Sequence, residues 1–251
     1  MKEIIIGKLS EIEREKSVRI LYACESGSRA WGFHSPDSDY DVRFIYVHDK
    51  NWYLGIEDKK DHLEFPITDE LDILGYDLRK MLKLFRGSNA KIYEWLQSPV
   101  VYRKDDAFLS HIHSFMPVYY SLRSGIHHYL GLTKNTFDNE LQQPEVKLKK
   151  YFYALRPVLA ATWITNKQSF PPMEFAQLRT LIKGTDTDHK IEELLQKKIQ
   201  VGEGYVMQPD MDMNEFIRRQ MDYCLQAAAS FQPSATEAEP LNQFFRNTIG
   251  I

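Results

Sequence analysis

The sequence predicts an α+β protein: a mixed sheet with helices in the N-terminal part, followed by a domain built of helices alone. Two observations carry this. Apolar, β-favouring runs occur only early in the chain, at 18–24, 41–47, 61–67 and 70–75. After about residue 105 the apolar residues recur at helical spacing instead, over 106–131, 145–166, 173–183, 187–200 and 212–230.

Each element has its own signal. Ile4, Ile5, Leu9 and Ile12 share one face of a helix over 2–16. The run VRILYAC (18–24) has no helical period and reads as a strand. Gly27 and Gly32 then punctuate a turn that opens a short helix, and Ser35-Pro36-Asp37-Ser38 forms a second turn. DVRFIYV (41–47) is the next strand, and Thr68-Asp69 suits a hairpin turn between the last two. From Asp77, an N-cap residue, Leu78, Met81, Leu82 and Phe85 mark the buried stripe of a helix that Gly87 ends. In the helix over 146–164 the core stripe is Leu148, Phe152, Leu155 and Leu159; Pro157 is expected to kink or restart it. The expected domains are 1–104, 105–231 and a C-terminal tail, 232–251, whose polar start QPSATEAE reads as loose.

Composition narrows the function. With 32 Lys+Arg against 35 Asp+Glu the net charge is −3, too acidic for a protein that coats nucleic acid over its whole surface. The two cysteines, Cys24 and Cys224, form no CxxC pair, which excludes a thiolate zinc site and a disulfide scaffold. The N-terminus lacks the apolar core of a signal peptide, and no apolar run is long enough to span a bilayer. A soluble, cytoplasmic protein without membrane contact is expected.

The chemistry is concentrated in Gly27-Ser28-Arg29-Ala30-Trp31-Gly32 and Ser38-Asp39-Tyr40-Asp41. On extended backbone Asp39 and Asp41 share one face. Two adjacent carboxylates repel each other unless a cation joins them, and hard oxygen donors suit Mg²⁺ or Mn²⁺. Gly27 lets the backbone turn tightly and approach a ligand, while Ser28 and nearby amides suit an anion. A third carboxylate comes from the later strand: Asp72, between two apolar residues, is preferred over Glu70, which shares its face. Arg29 and Arg43 flank the motif, Arg43 on the same strand face as Asp41; each suits phosphate charge or a carboxylate partner. Lys149, Tyr153 and Arg156 follow one another along a helix face with Lys150 beside them; Lys150 and Arg156 are the candidates there for a triphosphate or an acceptor backbone.

At these residues the chain resembles the DNA polymerase β-like nucleotidyltransferases, whose signature is a GS turn, a DxD strand and a third Asp on a nearby strand. The segments ESGSRAWGF, SPDSDYDVRFIY and ELDILGYDLRKML are most similar to a microbial group that includes the RNA repair pathway polymerase-β-family proteins, and KKYFYALRPVLAATWI (149–164) looks like that group's helical half. The resemblance implies a polymerase-β-like mixed sheet and transfer of a nucleoside monophosphate from an NTP, ATP among them, to a hydroxyl. It maps Gly27 and Ser28 onto the phosphate-binding turn, Asp39 and Asp41 onto the metal pair, and leaves Asp72 and Glu70 as rivals for the third position. The expected acceptor is an RNA end, with a protein hydroxyl or a small molecule as alternatives. Two other functions compete: a nucleotide-binding regulator without turnover, and an antitoxin-like enzyme that nucleotidylates a partner protein.

Overall fold

A computed structural model of the 251-residue chain describes residues 1–67, 70–232 and 237–251. The Thr68-Asp69 turn and part of the expected loose tail, 233–236, lie outside the described residues. The chain folds as two compact units. One comprises Met1–Gly27, Asp39–Tyr119 and Ala235–Ile251; the other comprises Ser28–Ser38 and Tyr120–Ser234.

The first unit opens with helix α1, Lys2–Lys16, whose Ile5, Leu9 and Ile12 are buried, while Ile4, expected on the same face, turns to solvent. Strand β1, Arg19–Glu25, is buried at all but its first residue and apolar from Ile20 to Cys24. The short helix α2, Gly27–Trp31, lies in the second unit from Ser28 on, and the chain returns to the first at Asp39. Then come β2 (Tyr40–Val47), α3 (Lys50–Tyr53), β3 (His62–Glu64) and β4 (Leu71–Asp77). Helix α4, Leu78–Arg86, starts where Asp77 accepts the Arg79 amide at 2.8 Å, and buries the four residues that its stripe predicts. Two elements have no clear signal in the sequence: helix α5, Ala90–Trp95, and strand β5, Val101–Lys104. Helix α6, Asp106–Tyr119, completes this run.

The five strands form one mixed sheet in the order β3-β4-β2-β1-β5. Only β2 and β4 run parallel; the other pairs are antiparallel. The β2–β4 register sets Asp41 opposite Asp72 and Phe44 opposite Gly75. A Cβ on Gly75 would lie 2.2 Å from the Phe44 ring, so that ring lies directly over glycine backbone. A slip of one residue would turn every side chain to the other face and put a side chain under the ring.

The second unit holds the all-helical part. Helix α7, Leu122–Glu140, is capped by Ser121, so the single helix expected over 106–131 is broken just before that cap. A two-residue strand, β6 (Val146–Lys147), precedes α8, Leu148–Lys167, which runs through Pro157 without stopping. Helices α9 (Phe175–Arg179) and α10 (Asp186–Gln200), strand β7 (Val206–Met207), paired with β6, and helix α11 (Met211–Ala228) follow. The predicted stripe Leu148, Phe152, Leu155 and Leu159 is buried.

The expected boundaries need two corrections. Helix α6 belongs to the sheet unit, so the division falls after Tyr119 rather than at residue 104. The tail is structural from Glu239 on: helix α12, Glu239–Ile249, returns to the same unit and buries Leu241 and Phe244. Phe244 stacks on Phe108 of α6 at 5.8 Å and meets Phe115 edge-on. Those aromatic contacts tie α12 to α6.

Two substitutions test this packing by urea denaturation. Gly75→Ala should destabilise by about 1–3 kcal/mol, because the ring over it must move. Phe244→Ala should lower stability by about 3 kcal/mol, as large-to-small changes in a core do; a loose tail would lose nothing.

Candidate active site

Strand β1 delivers the chain to the turn. Gly27 has φ +60°, a left-handed conformation, and a Cβ there would lie 1.9 Å from Asp41 Oδ2. Glycine is required twice over, for the dihedral and for the approach of the carboxylate. The Ser26 amide donates to the Asp41 carbonyl at 2.8 Å, fixing the turn to the start of β2. Ser28 is buried, and its carbonyl accepts the amides of Gly32 and Phe33, both at 3.1 Å.

Asp41 and Asp72 stand side by side because β2 and β4 are parallel and in register. Glu70 precedes β4; what it contributes is its carbonyl, which accepts the Tyr40 amide at 2.8 Å. The register therefore favours Asp72 over Glu70 as the carboxylate beside Asp41. Between the pair lies Arg43. Its Nη2 donates to Asp41 Oδ1 at 2.6 Å and to Asp72 Oδ2 at 2.7 Å, while Nη1 donates to the Asp72 and Val42 carbonyls. The two carboxylate side chains keep 29% and 31% exposure, the arginine 13%. The acids thus face solvent while the cation is held from below.

A further acid lies underneath. Glu25, the last residue of β1, is only 1% exposed. Its Oε1 accepts the Asp41 amide at 2.7 Å and its Oε2 accepts the Tyr102 hydroxyl. Burial, with the Glu25 carboxylate beside it, pushes the Tyr102 phenol upward from its ordinary pKa. The only hint in the sequence is a Glu ending an otherwise apolar strand directly before the glycine turn.

The remaining candidates lie in the second unit. Arg29 grips the Ser38 carbonyl through Nε at 3.2 Å and Nη2 at 2.7 Å, closing the 28–38 loop on itself. That loop is held by buried polar contacts. Ser38 donates to Glu203 at 2.7 Å, Lys149 pairs with the same carboxylate at 2.7 Å, and Lys198 donates to Ser35 at 2.6 Å. Lys198 is 2% exposed, and burial lowers its pKa. Lys150 pairs with Glu140 at 2.6 Å.

The chain matches the RNA repair pathway DNA polymerase beta family over residues 1–247. The chain belongs to that family. It is similar to the Bacillus subtilis protein YcgL, with 40% identity across 99% of this chain and 96% of the relative. A nucleotidyltransferase-like protein from Exiguobacterium sibiricum 255-15 is a distant structural neighbour, with TM-score 0.34 and 12% identity over 90% of this chain and 75% of the other.

Within the family frame one candidate changes character. Arg156, expected to reach for phosphate, is 3% exposed; Nε and Nη2 both donate to the Met173 carbonyl, and the guanidinium lies 4.5 Å from the Trp31 ring centre. Spacing along α8 placed it beside Lys149, but its flanks are apolar, and the side chain turns inward to tie α8 to the segment before α9. Arg156 is a packing residue.

A divalent cation fits the Asp41–Asp72 pair by donor chemistry, since both are hard carboxylate oxygens already sharing one positive group. The exposed Asp39 is not gathered with them: among the described residues no group of three or more His, Cys, Asp or Glu side chains stands ready to hold a metal. Again among the described residues, no helix is long and apolar enough to cross a membrane.

Glu25→Ala should cost about 1–3 kcal/mol of stability, because it strands the Asp41 amide without an acceptor. Glu25→Gln keeps an acceptor and should cost less. Thermal melts of the two variants check the order; equal losses would remove Glu25 from this role.

Proposed function

We propose that the protein is a metal-dependent nucleotidyltransferase that moves a nucleoside monophosphate from an NTP to a hydroxyl acceptor. The observation that carries this reading is the pair Asp41–Asp72, set in register on parallel strands with the Gly27 backbone against Asp41. Family membership supports the same reaction class.

The residues divide the work. Gly27 and Ser28 form the turn on which the triphosphate rests, since glycine backbone admits a phosphate where a side chain would not. Asp41 and Asp72 would hold Mg²⁺ or Mn²⁺, and Asp39 would have to move to join them; the bound ion would supply Lewis-acid polarisation of the transferring phosphate. Asp72 stands where a carboxylate can take the proton of the incoming hydroxyl. Glu25 holds the Asp41 backbone still while this happens. The acceptor we favour is an RNA end, in keeping with the family's description; a protein or small-molecule hydroxyl is the alternative. A regulator that only bound nucleotide would gain nothing from two mutually repelling carboxylates set side by side.

The test is transfer from each α-labelled NTP with Mg²⁺ or Mn²⁺ to RNA, protein and small-molecule acceptors. Wild type should transfer label to RNA. Asp41→Asn should fall to background, and Asp72→Asn by about 10²–10⁴-fold, the usual worth of a positioned proton acceptor. Both variants should stay folded, because the carboxylates face solvent. Metal-dependent NTP binding lost in Asp41→Asn, with transfer to none of the acceptors, would mean that the true acceptor is missing from those tried; NTP binding kept in Asp41→Asn, with no transfer, would favour the regulator.

A further inference from the structure

Arg43 is unusual in its place rather than its type. Phosphate-binding arginines beside an active site ordinarily point at the ligand. Here a single nitrogen, Nη2, bridges the two carboxylates, at 2.6 Å from Asp41 and 2.7 Å from Asp72, and Nη1 is anchored on the Asp72 carbonyl at 3.0 Å. With the Val42 carbonyl, four groups on two strands are joined by one guanidinium that is 13% exposed, more deeply set than either acid. Both carboxylates need a positive partner, since side by side they repel. A cation shared by the two must lie in the space between them, and that space now holds Nη2.

We infer that Arg43 is the resident counter-ion of the Asp41–Asp72 pair and that a divalent cation binds there by exchange with it. This rests on the metal-dependent reading of the site and adds to it. Without metal, Arg43 keeps the acids compensated. With metal, the guanidinium gives up its carboxylate bonds and becomes a free cation beside the glycine turn. Metal binding is then weakened by competition from the protein's own charge, a penalty that falls on the ion and not on the fold. The alternative is that Arg43 and the ion bind together, the arginine merely orienting the carboxylates; removing it would then weaken the metal.

The two ideas predict opposite signs. Mn²⁺ binding to the full-length protein is measured by electron paramagnetic resonance of the free ion, without nucleotide, for wild type, Arg43→Gln and Arg43→Lys. Exchange predicts tighter binding in Arg43→Gln by roughly tenfold, the effect of losing one modest ion-pair competitor. Arg43→Lys, which keeps the charge, should stay near wild type. Metal-free Arg43→Gln should also melt below wild type and recover more of its stability on adding Mn²⁺. Equal or weaker binding in Arg43→Gln, with wild type binding normally, overturns the exchange and leaves the metal-dependent reading standing. No Mn²⁺ binding by wild type or either variant overturns both. If Arg43→Gln fails to fold, Arg43→Lys decides: shorter and without the bridging fork, it should bind Mn²⁺ no more weakly than wild type, and a clear loss would sink the exchange.

Discussion

The parallel pairing of β2 with β4 is the constraint on which the rest depends. The two strands are far apart in sequence, and only their register sets Asp41 beside Asp72. Packing enforces that register: Phe44 lies flat over Gly75, where no side chain fits. From this follow the bridging position of Arg43, the solvent-facing edge of both acids, and the exclusion of Glu70 from the pair. The charges do not hold the strands together; the strands hold the charges.

Around that pair the sheet supplies a second layer of control. Asp41 is fixed at every atom that could drift. Its amide is held by buried Glu25, its carbonyl by the Ser26 amide, one carboxylate oxygen by Arg43 and the other by the closeness of Gly27. A side chain held this closely loses little freedom when it meets a ligand. The burial of Glu25 carries a desolvation cost that its two hydrogen bonds offset.

Much of this was legible in the sequence where the signal is local. The apolar run of β1, the glycine turn and the stripe of α4 each announce themselves within a dozen residues, whereas the alternation that would set Asp39 beside Asp41 does not gather the two. What was hidden depends on distant partners. Asp72 against Glu70 is a question of strand register, which one strand alone does not contain. Glu25 looks like an ordinary strand end until Tyr102 and the Asp41 amide meet it. Arg156 has the spacing of a phosphate ligand, but its side chain turns inward to the Met173 carbonyl and the Trp31 ring. Helix α12 escaped because a polar stretch precedes it and its apolar residues are few; Phe108 and Phe115 of α6 decide its fate.

The interleaving of the two units bears on how the chain is made. Ser35 finds its lysine partner 163 residues later in the sequence, and Phe108 gains its cover only when Phe244 has been synthesised. Neither unit is therefore finished on the ribosome before translation nears its end. The glycine turn and Asp41 emerge early, yet each unit gains its last contacts only near the end of synthesis. A stalled ribosome would release two unfinished units rather than one finished half.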